Sequence, residues 1–331
     1  MTRQITLKSR PIGLPQFSNF ETREVVLPEL AKGQVRLVPQ TLSVDPYMRG
    51  RMNDAPSYVP QFNIGDPIAG GGISLIKESR AAGFEAGSYV QGFIPWQEEI
   101  IMDAQGLNIV DETIAPLSYY LGILGMPGLT AYFGLRDIGK LQQGETVVIS
   151  GAAGAVGIVA GQLAKLQGCH VVGIAGSDSK VDYLLNELNF DKAINYKTTK
   201  DLHAALTEAC PSGVDVYFDN VGGEISDAVL SQINKFARII ICGQISLYNA
   251  TSLPTGPRIQ GTLLKKSALM QGFIVSNYTE RFPEGVNTLS QLVVSGHLKY
   301  TSTIYHGFDN LPEAFIALFE GKNLGKLIVE L

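Results

Sequence analysis

The sequence predicts a two-domain α/β protein: a β-rich part joined to a doubly wound parallel sheet of six strands. Three observations predict it. Up to about Val110, short β-branched runs are broken by Gly, Pro and polar turns. From near Leu141, apolar runs alternate with helical patterns. The first of those runs ends in a glycine-rich turn that opens a helix. A chain of 331 residues also exceeds the usual domain size of about 100–200 residues.

In chain order, residues 35–38, 73–76, 89–94 and 99–102 read as strands of a small barrel or sandwich. Gly70, Gly71, Gly72 and Gly83 are expected in turns. Residues 113–133 carry no charge, and their length suits a membrane span. Pro116, Pro127 and several glycines interrupt them, so a buried helix–turn–helix is expected and no membrane partner. The alternation then gives strands at 145–150, 170–175, 192–196, 214–219, 238–242 and 268–275. Helices are expected at 155–167, 180–187, 202–209 and 224–233. Strands apolar throughout and linked by helices are those of a parallel sheet covered on both faces. After Gly296 a helix at 311–319 and a strand at 326–331 form a tail that could return to the first domain. The expected division is therefore 1–124 plus 297–331, and 125–296.

Composition narrows the function classes. A net charge of −5 without a Lys/Arg cluster argues against a nucleic-acid partner. With 36 glycines and a mean hydropathy of +0.12, the chain is neither disordered nor fibrous. Three cysteines, Cys169, Cys210 and Cys242, make no disulfide framework and fit a reducing, cytoplasmic setting. The start lacks the apolar region of a signal peptide. A catalytic zinc needs about three ligands and a structural one four. No cysteine precedes Cys169 and the four histidines are scattered, so no metal is expected.

The turn Ser150-Gly151-Ala152-Ala153-Gly154-Ala155-Val156-Gly157 sits where a dinucleotide fingerprint belongs, between strand and helix. Gly154 would let a pyrophosphate approach the backbone, Gly157 would let the helix pack on the strand, and the helix N-terminus offers N–H groups. Ala152 departs from the G-x-G-x-x-G pattern. The plain alternative is a tight structural turn. At the end of the second strand Asp178 alone would suggest NAD. Gly176 leaves room for a 2′-phosphate and Lys180 could neutralise it, with Tyr196 flanking the adenosine, which favours NADP.

Together these residues resemble the zinc-independent medium-chain dehydrogenase/reductases, closest to the alkenal/one reductases, which include the leukotriene hydroxydehydrogenase/prostaglandin reductases and plant double-bond reductases. The resemblance covers essentially the whole chain. It is carried by LSVDPYMRG (42–50), GMPGLTAY (125–132), AGAVG (153–157), GCHVVG (168–173), GSDSK (176–180), NYK (195–197), YFDNVGGE (217–224), ICGQISLYN (241–249) and NLGK (323–326). Zinc-dependent relatives carry Gly-His-Glu where this chain has Gly65-Asp66-Pro67.

The resemblance implies a GroES-like first domain completed by the tail, and a Rossmann domain between. It implies that Gly154, Ala155, Val156 and Gly157 hold the pyrophosphate of NADPH, and Lys180 and Tyr196 its 2′-phosphate. Asn220, Cys242, Gly243, Ile245, Ser246 and Tyr248 would line the ribose and nicotinamide, flanked by Met126 and Thr130. Phe273, Ile274 and Val275 would bind the amide and Asn323 would reach the cofactor from the tail. The implied reaction is reduction of the C=C bond of an unsaturated aldehyde or ketone, with Tyr248 donating to the developing enolate and Tyr47 lining the pocket. Met48, Tyr58, Phe62 and Trp96 are candidates for an apolar pocket or for ordinary core, and Arg49 and Arg51 for anion attraction or plain surface. A quinone reductase, an alcohol dehydrogenase and a non-catalytic NADPH-binding protein stand as alternatives. An apolar edge at 268–275 suggests a homodimer.

Overall fold

In the computed structural model, which describes residues 1–331, Gln34–Ser43 is the spine of the first sheet. Its side chains alternate between buried and half-exposed for most of its length, the period of a strand with one face on a core. It pairs antiparallel with Ala69–Ser79 on one side. On its other side it pairs with Ile100–Asp103 at one end and Lys326–Glu330 at the other. Tyr89–Pro95 and Asn108–Val110 extend the sheet in one direction, and Ser302–His306 in the other. Thr2–Leu7 and Phe20–Val25 make a separate antiparallel pair. These elements belong to one unit, Met1–Leu121 plus Ser302–Leu331, so the tail is part of the first unit's own sheet.

Several expectations are resolved or corrected in this unit. Gly70, Gly71 and Gly72 lie inside the Ala69–Ser79 strand, not in a turn. A Cβ on Gly72 would stand 2.8 Å from both Ile94 and Leu42, so the glycine is required by close packing. Gly83, at φ +82°, does occupy a turn. Met48, Phe62 and Trp96 line no pocket: all three are buried in the core. The Trp96 ring stacks on Phe20 at 6.1 Å and meets Phe315 edge-on at 6.3 Å. Tyr58 is exposed. Arg49 is a buried peg, donating to the carbonyls of Pro11 and Gly13, and Arg51 stacks 3.9 Å from the Phe62 centroid.

Beneath this sheet lies a buried ion pair. Lys326 Nζ, 2% exposed, donates to Asp45 Oδ1 at 3.0 Å and to the carbonyls of Val44 and Leu327 at 2.9 and 3.0 Å. Ser43 Oγ donates to the other oxygen of the same carboxylate.

The second unit, Gly122–Thr301, is built on six parallel strands. Their order is Lys192–Asn195, His170–Ala175, Thr146–Ser150, Val214–Asp219, Ile233–Ile241, Leu269–Gly272. Thr146–Ser150 is buried at every position, as a central strand covered on both faces must be. Helix Gly157–Leu166 approaches so closely that a Cβ on Gly161 would overlap the Phe190 ring.

The helix expected at 224–233 ends at Leu230, and Ile233 opens the fifth strand. That strand is longer than its apolar part because Phe236, at φ +65°, shifts the register within a polar stretch. The uncharged stretch 113–133 is a 3-10 turn, Leu117–Leu121, and one helix, Met126–Phe133, running into a π-helical turn, Gly134–Gly139. It straddles the change of unit between Leu121 and Gly122. No helix is long and apolar enough to cross a membrane.

Candidate functional site

The strand order reverses between Thr146–Ser150 and Val214–Asp219. In an open parallel sheet, ligands bind beyond the carboxyl ends of the strands at such a reversal. Two turns leave the sheet there. In the first, Gly151 takes the left-handed conformation, φ +59°, and Gly154 N–H donates to the Gly151 carbonyl at 2.9 Å. A Cβ on Gly157 would lie 2.4 Å from the Gly151 oxygen and 2.6 Å from Ala152 Cα. Glycine is therefore needed at 151 and 157. Ala152 is tolerated because the positive φ falls one residue earlier. Helix Gly157–Leu166 starts at this turn, with its Ile158 N–H already donating to the Gly154 carbonyl at 3.1 Å, and the positive end of its dipole favours an anion there.

The second turn is organised by a residue that the sequence reading missed. Asp219, 1% exposed, ends its strand, and one carboxylate oxygen accepts four hydrogen bonds. The donors are Ser150 Oγ at 2.9 Å, Tyr217 OH at 2.9 Å, and the N–H groups of Val221 and Gly222 at 3.0 and 2.9 Å. A polar residue closing each of two apolar strands, Ser150 and Asp219, was the available signal. Asn220 completes the clamp: its N–H donates to Ser150 Oγ and its Nδ2 to the Ser150 carbonyl at 2.8 Å.

The segment after the fifth strand is fastened to this turn. The N–H groups of Cys242 and Gly243 donate to the Asp219 carbonyl at 2.9 and 3.0 Å, that of Ile245 to Asn220 and that of Ser246 to Val221. Tyr248 OH accepts the Gln244 N–H at 3.3 Å, and a Cβ on Gly243 would stand 3.2 Å from that hydroxyl. Burial pushes the Tyr248 phenol above its ordinary range, and burial followed by the Asp219 charge pushes the Cys242 thiol up to about 12. Both groups are neutral at pH 7. Phe273 N–H donates to Ile241, and its ring lies against Gly134. The asparagine, the 242–248 segment and Phe273 thus gather around the ends of the fourth and fifth strands. Met126 is exposed, and Thr130 donates its hydroxyl to the Met126 carbonyl.

At the end of the second strand, a Cβ on Gly176 would meet Tyr196 Cε1 at 3.1 Å and Lys197 Cε at 3.3 Å. Asp178 accepts from Asn195 Nδ2 at 2.6 Å. Burial, and then the nearby Lys197 charge, lower the Lys180 pKa. Lys197 is the second residue the sequence reading missed. Tyr47 and Asn323 lie in the first unit. Tyr47 opens the helix Tyr47–Arg51, and Asn323 Nδ2 donates to Gly325 within its own turn. No group of three or more His, Cys, Asp or Glu side chains is arranged to hold a metal.

Residues 3–110 match a family model described as the N-terminal domain of oxidoreductase, and residues 155–291 one described as zinc-binding dehydrogenase. The chain is 52% identical to a putative NADP-dependent oxidoreductase, YfmJ, of Bacillus subtilis, over 99% of this chain and 97% of that protein. It is 41% identical to the NADP(+)-dependent 2-alkenal reductase of Nicotiana tabacum, over 99% and 96%. The crystal structure of CurA from Vibrio vulnificus in complex with NADPH superposes with a TM-score of 0.94 at 42% identity, covering 99% of this chain and 98% of that one.

The chain belongs to the zinc-independent medium-chain dehydrogenase/reductases. The second family model is named for zinc, but the residues here do not fit that metal. A dinucleotide does fit. The Gly151–Gly157 turn, packed so closely on its own backbone that Gly157 has no room for a Cβ, lies at the reversal of strand order that defines the Rossmann half of the family.

Proposed function

We propose that this medium-chain reductase uses NADPH to reduce the C=C bond of α,β-unsaturated aldehydes and ketones. One observation carries the reading: the Tyr248 hydroxyl stands over the fastened 242–248 segment as a neutral phenol whose oxygen already accepts Gln244 N–H. Its O–H is thereby directed to a further acceptor. The kinship to a 2-alkenal reductase supports the same reading.

When bound, NADPH supplies a hydride to the β-carbon. As the C–H bond forms there, the C=C electron pair moves toward the carbonyl and negative charge grows on its oxygen. Tyr248 meets that charge as a hydrogen-bond donor, the role in which a fixed donor lowers a barrier most. Water delivers a proton to the α-carbon, and the saturated carbonyl compound leaves. The glycine turn would hold the pyrophosphate, Asn220 and the Cys242–Tyr248 stretch the ribose and nicotinamide end, and Phe273, Ile274 and Val275 the amide.

Tyr248→Phe is expected to lower kcat by roughly 10²-fold with little change in NADPH affinity. Because burial raises the phenol's pKa and the protonated form is the donor, the wild-type rate should hold through neutral pH. It should fall only above the ordinary tyrosine value near 10. An unchanged rate in Tyr248→Phe removes the residue from the mechanism. Purified protein given NADPH and, separately, an aliphatic enal, an aryl enone, a quinone and a saturated ketone tests the reaction itself. Turnover only on the quinone overturns it.

The reading includes a homodimer. Leu269–Gly272 is the sheet's edge, with Leu269 and Leu264 exposed. Such an edge offers unpaired N–H and C=O groups to a second copy. Light scattering should return twice the 35.7 kDa chain mass; the single mass removes the proposal.

A further inference from the structure

We propose that Lys197 joins Lys180 in a two-cation seat for the 2′-phosphate of NADPH, and that this seat sets the preference for NADPH over NADH. The proposal rests on the NADPH reading above and adds a residue to it.

Where the second strand ends, an NAD-preferring site usually carries an acid that holds the ribose hydroxyls. Here Gly176 occupies that end, and the space a side chain would need is taken by Tyr196 and by the terminal methylene of Lys197, 3.3 Å away. The Lys197 side chain, although exposed, therefore runs past the strand end at Gly176.

Asn195 fixes this arrangement. Its Oδ1 accepts the Lys197 N–H at 3.1 Å, which sets the Tyr196–Lys197 turn. Its Nδ2 donates to Asp178 at 2.6 Å, which engages the one acid that the sequence places beside the ribose. Lys180 sits on the first turn of helix Asp178–Asn186, whose cap is Ser177. The Asn195–Asp178 hydrogen bond ties the start of that helix to the Tyr196–Lys197 turn, and burial first, then the Lys197 charge, disfavours the charged form of Lys180. Two converging cations repel, and a phosphate monoester carrying about −1.5 to −2 at pH 7 relieves that repulsion. A plain ribose hydroxyl does not.

The test is equilibrium binding. Dissociation constants for 2′,5′-ADP, NADPH and NADH would be measured by calorimetry on wild type, Lys197→Met and Lys197→Arg. Lys197→Met should weaken 2′,5′-ADP and NADPH by roughly tenfold. NADH affinity should not change, which also shows that the variant is folded. Lys197→Arg, which keeps the charge, should retain the preference. If Lys197→Met leaves 2′,5′-ADP unchanged, or weakens NADH as much as NADPH, Lys197 has no part in the seat. Wild type binding NADH as tightly as NADPH would instead overturn the NADPH reading, and the seat with it.

Discussion

Replacing Asp219 with alanine is expected to lower the unfolding free energy by about 3–4 kcal/mol and to abolish NADPH binding. Four donors converge on one carboxylate oxygen, and all four would lose their acceptor at once. Tyr217 is fully buried and burial holds its phenol protonated, so its hydroxyl would be left with Ser150 and Ser226 as its remaining partners. The two turns that Asp219 and Ser150 hold together would separate where the glycine turn meets the 242–248 segment. Asp219→Asn, which keeps an acceptor oxygen but brings an NH2 among donors, should lose less stability. Urea midpoints and calorimetric NADPH titration measure both effects. A loss below about 1 kcal/mol would mean that water replaces the carboxylate, and that the clamp is not what orders the site.

The second large effect is expected at Lys326. Lys326→Ala strands the Asp45 carboxylate in the core and should cost about 3–5 kcal/mol. The double variant Lys326→Met with Asp45→Leu removes both charges and should recover most of that loss, because a buried pair gives back in Coulomb energy little more than its desolvation takes. Denaturation of wild type, Lys326→Met, Asp45→Leu and the double variant closes the cycle. If the double variant is no more stable than Lys326→Ala, the loss comes from packing rather than from an orphaned charge.

The parallel sheet was legible in the sequence because its central strands are apolar at nearly every position and the helices between them keep their own period. Val214–Asp219 and His170–Ala175 carry their boundaries in their residues. The first unit was less legible. An apolar side chain looks the same in the sequence whether it fills a core or lines a cavity, so Met48, Phe62 and Trp96 could be sorted only by their neighbours. Gly72 reads as a turn until Ile94 and Leu42 are seen against it across neighbouring strands. The site divides in the same way. The glycine cradle follows from local chain geometry and was visible. Asp219 and Lys197 act through partners from other strands and turns, which no local pattern encodes.

The strand Lys326–Glu330 has a consequence for how the chain is made. Its partner, Gln34–Ser43, leaves the ribosome early, and the entire second unit is synthesised before the strand that completes its pairing. At translation rates of about 5–20 residues per second, the wait is roughly fifteen to sixty seconds. Throughout that interval part of an edge lies open, and the Asp45 carboxylate has not met its ammonium partner. The Rossmann half, whose strands are contiguous in sequence, can mature meanwhile. The nascent first unit is thus the part of this protein with most use for a chaperone, and a premature stop before Lys326 would release it with its sheet unfinished.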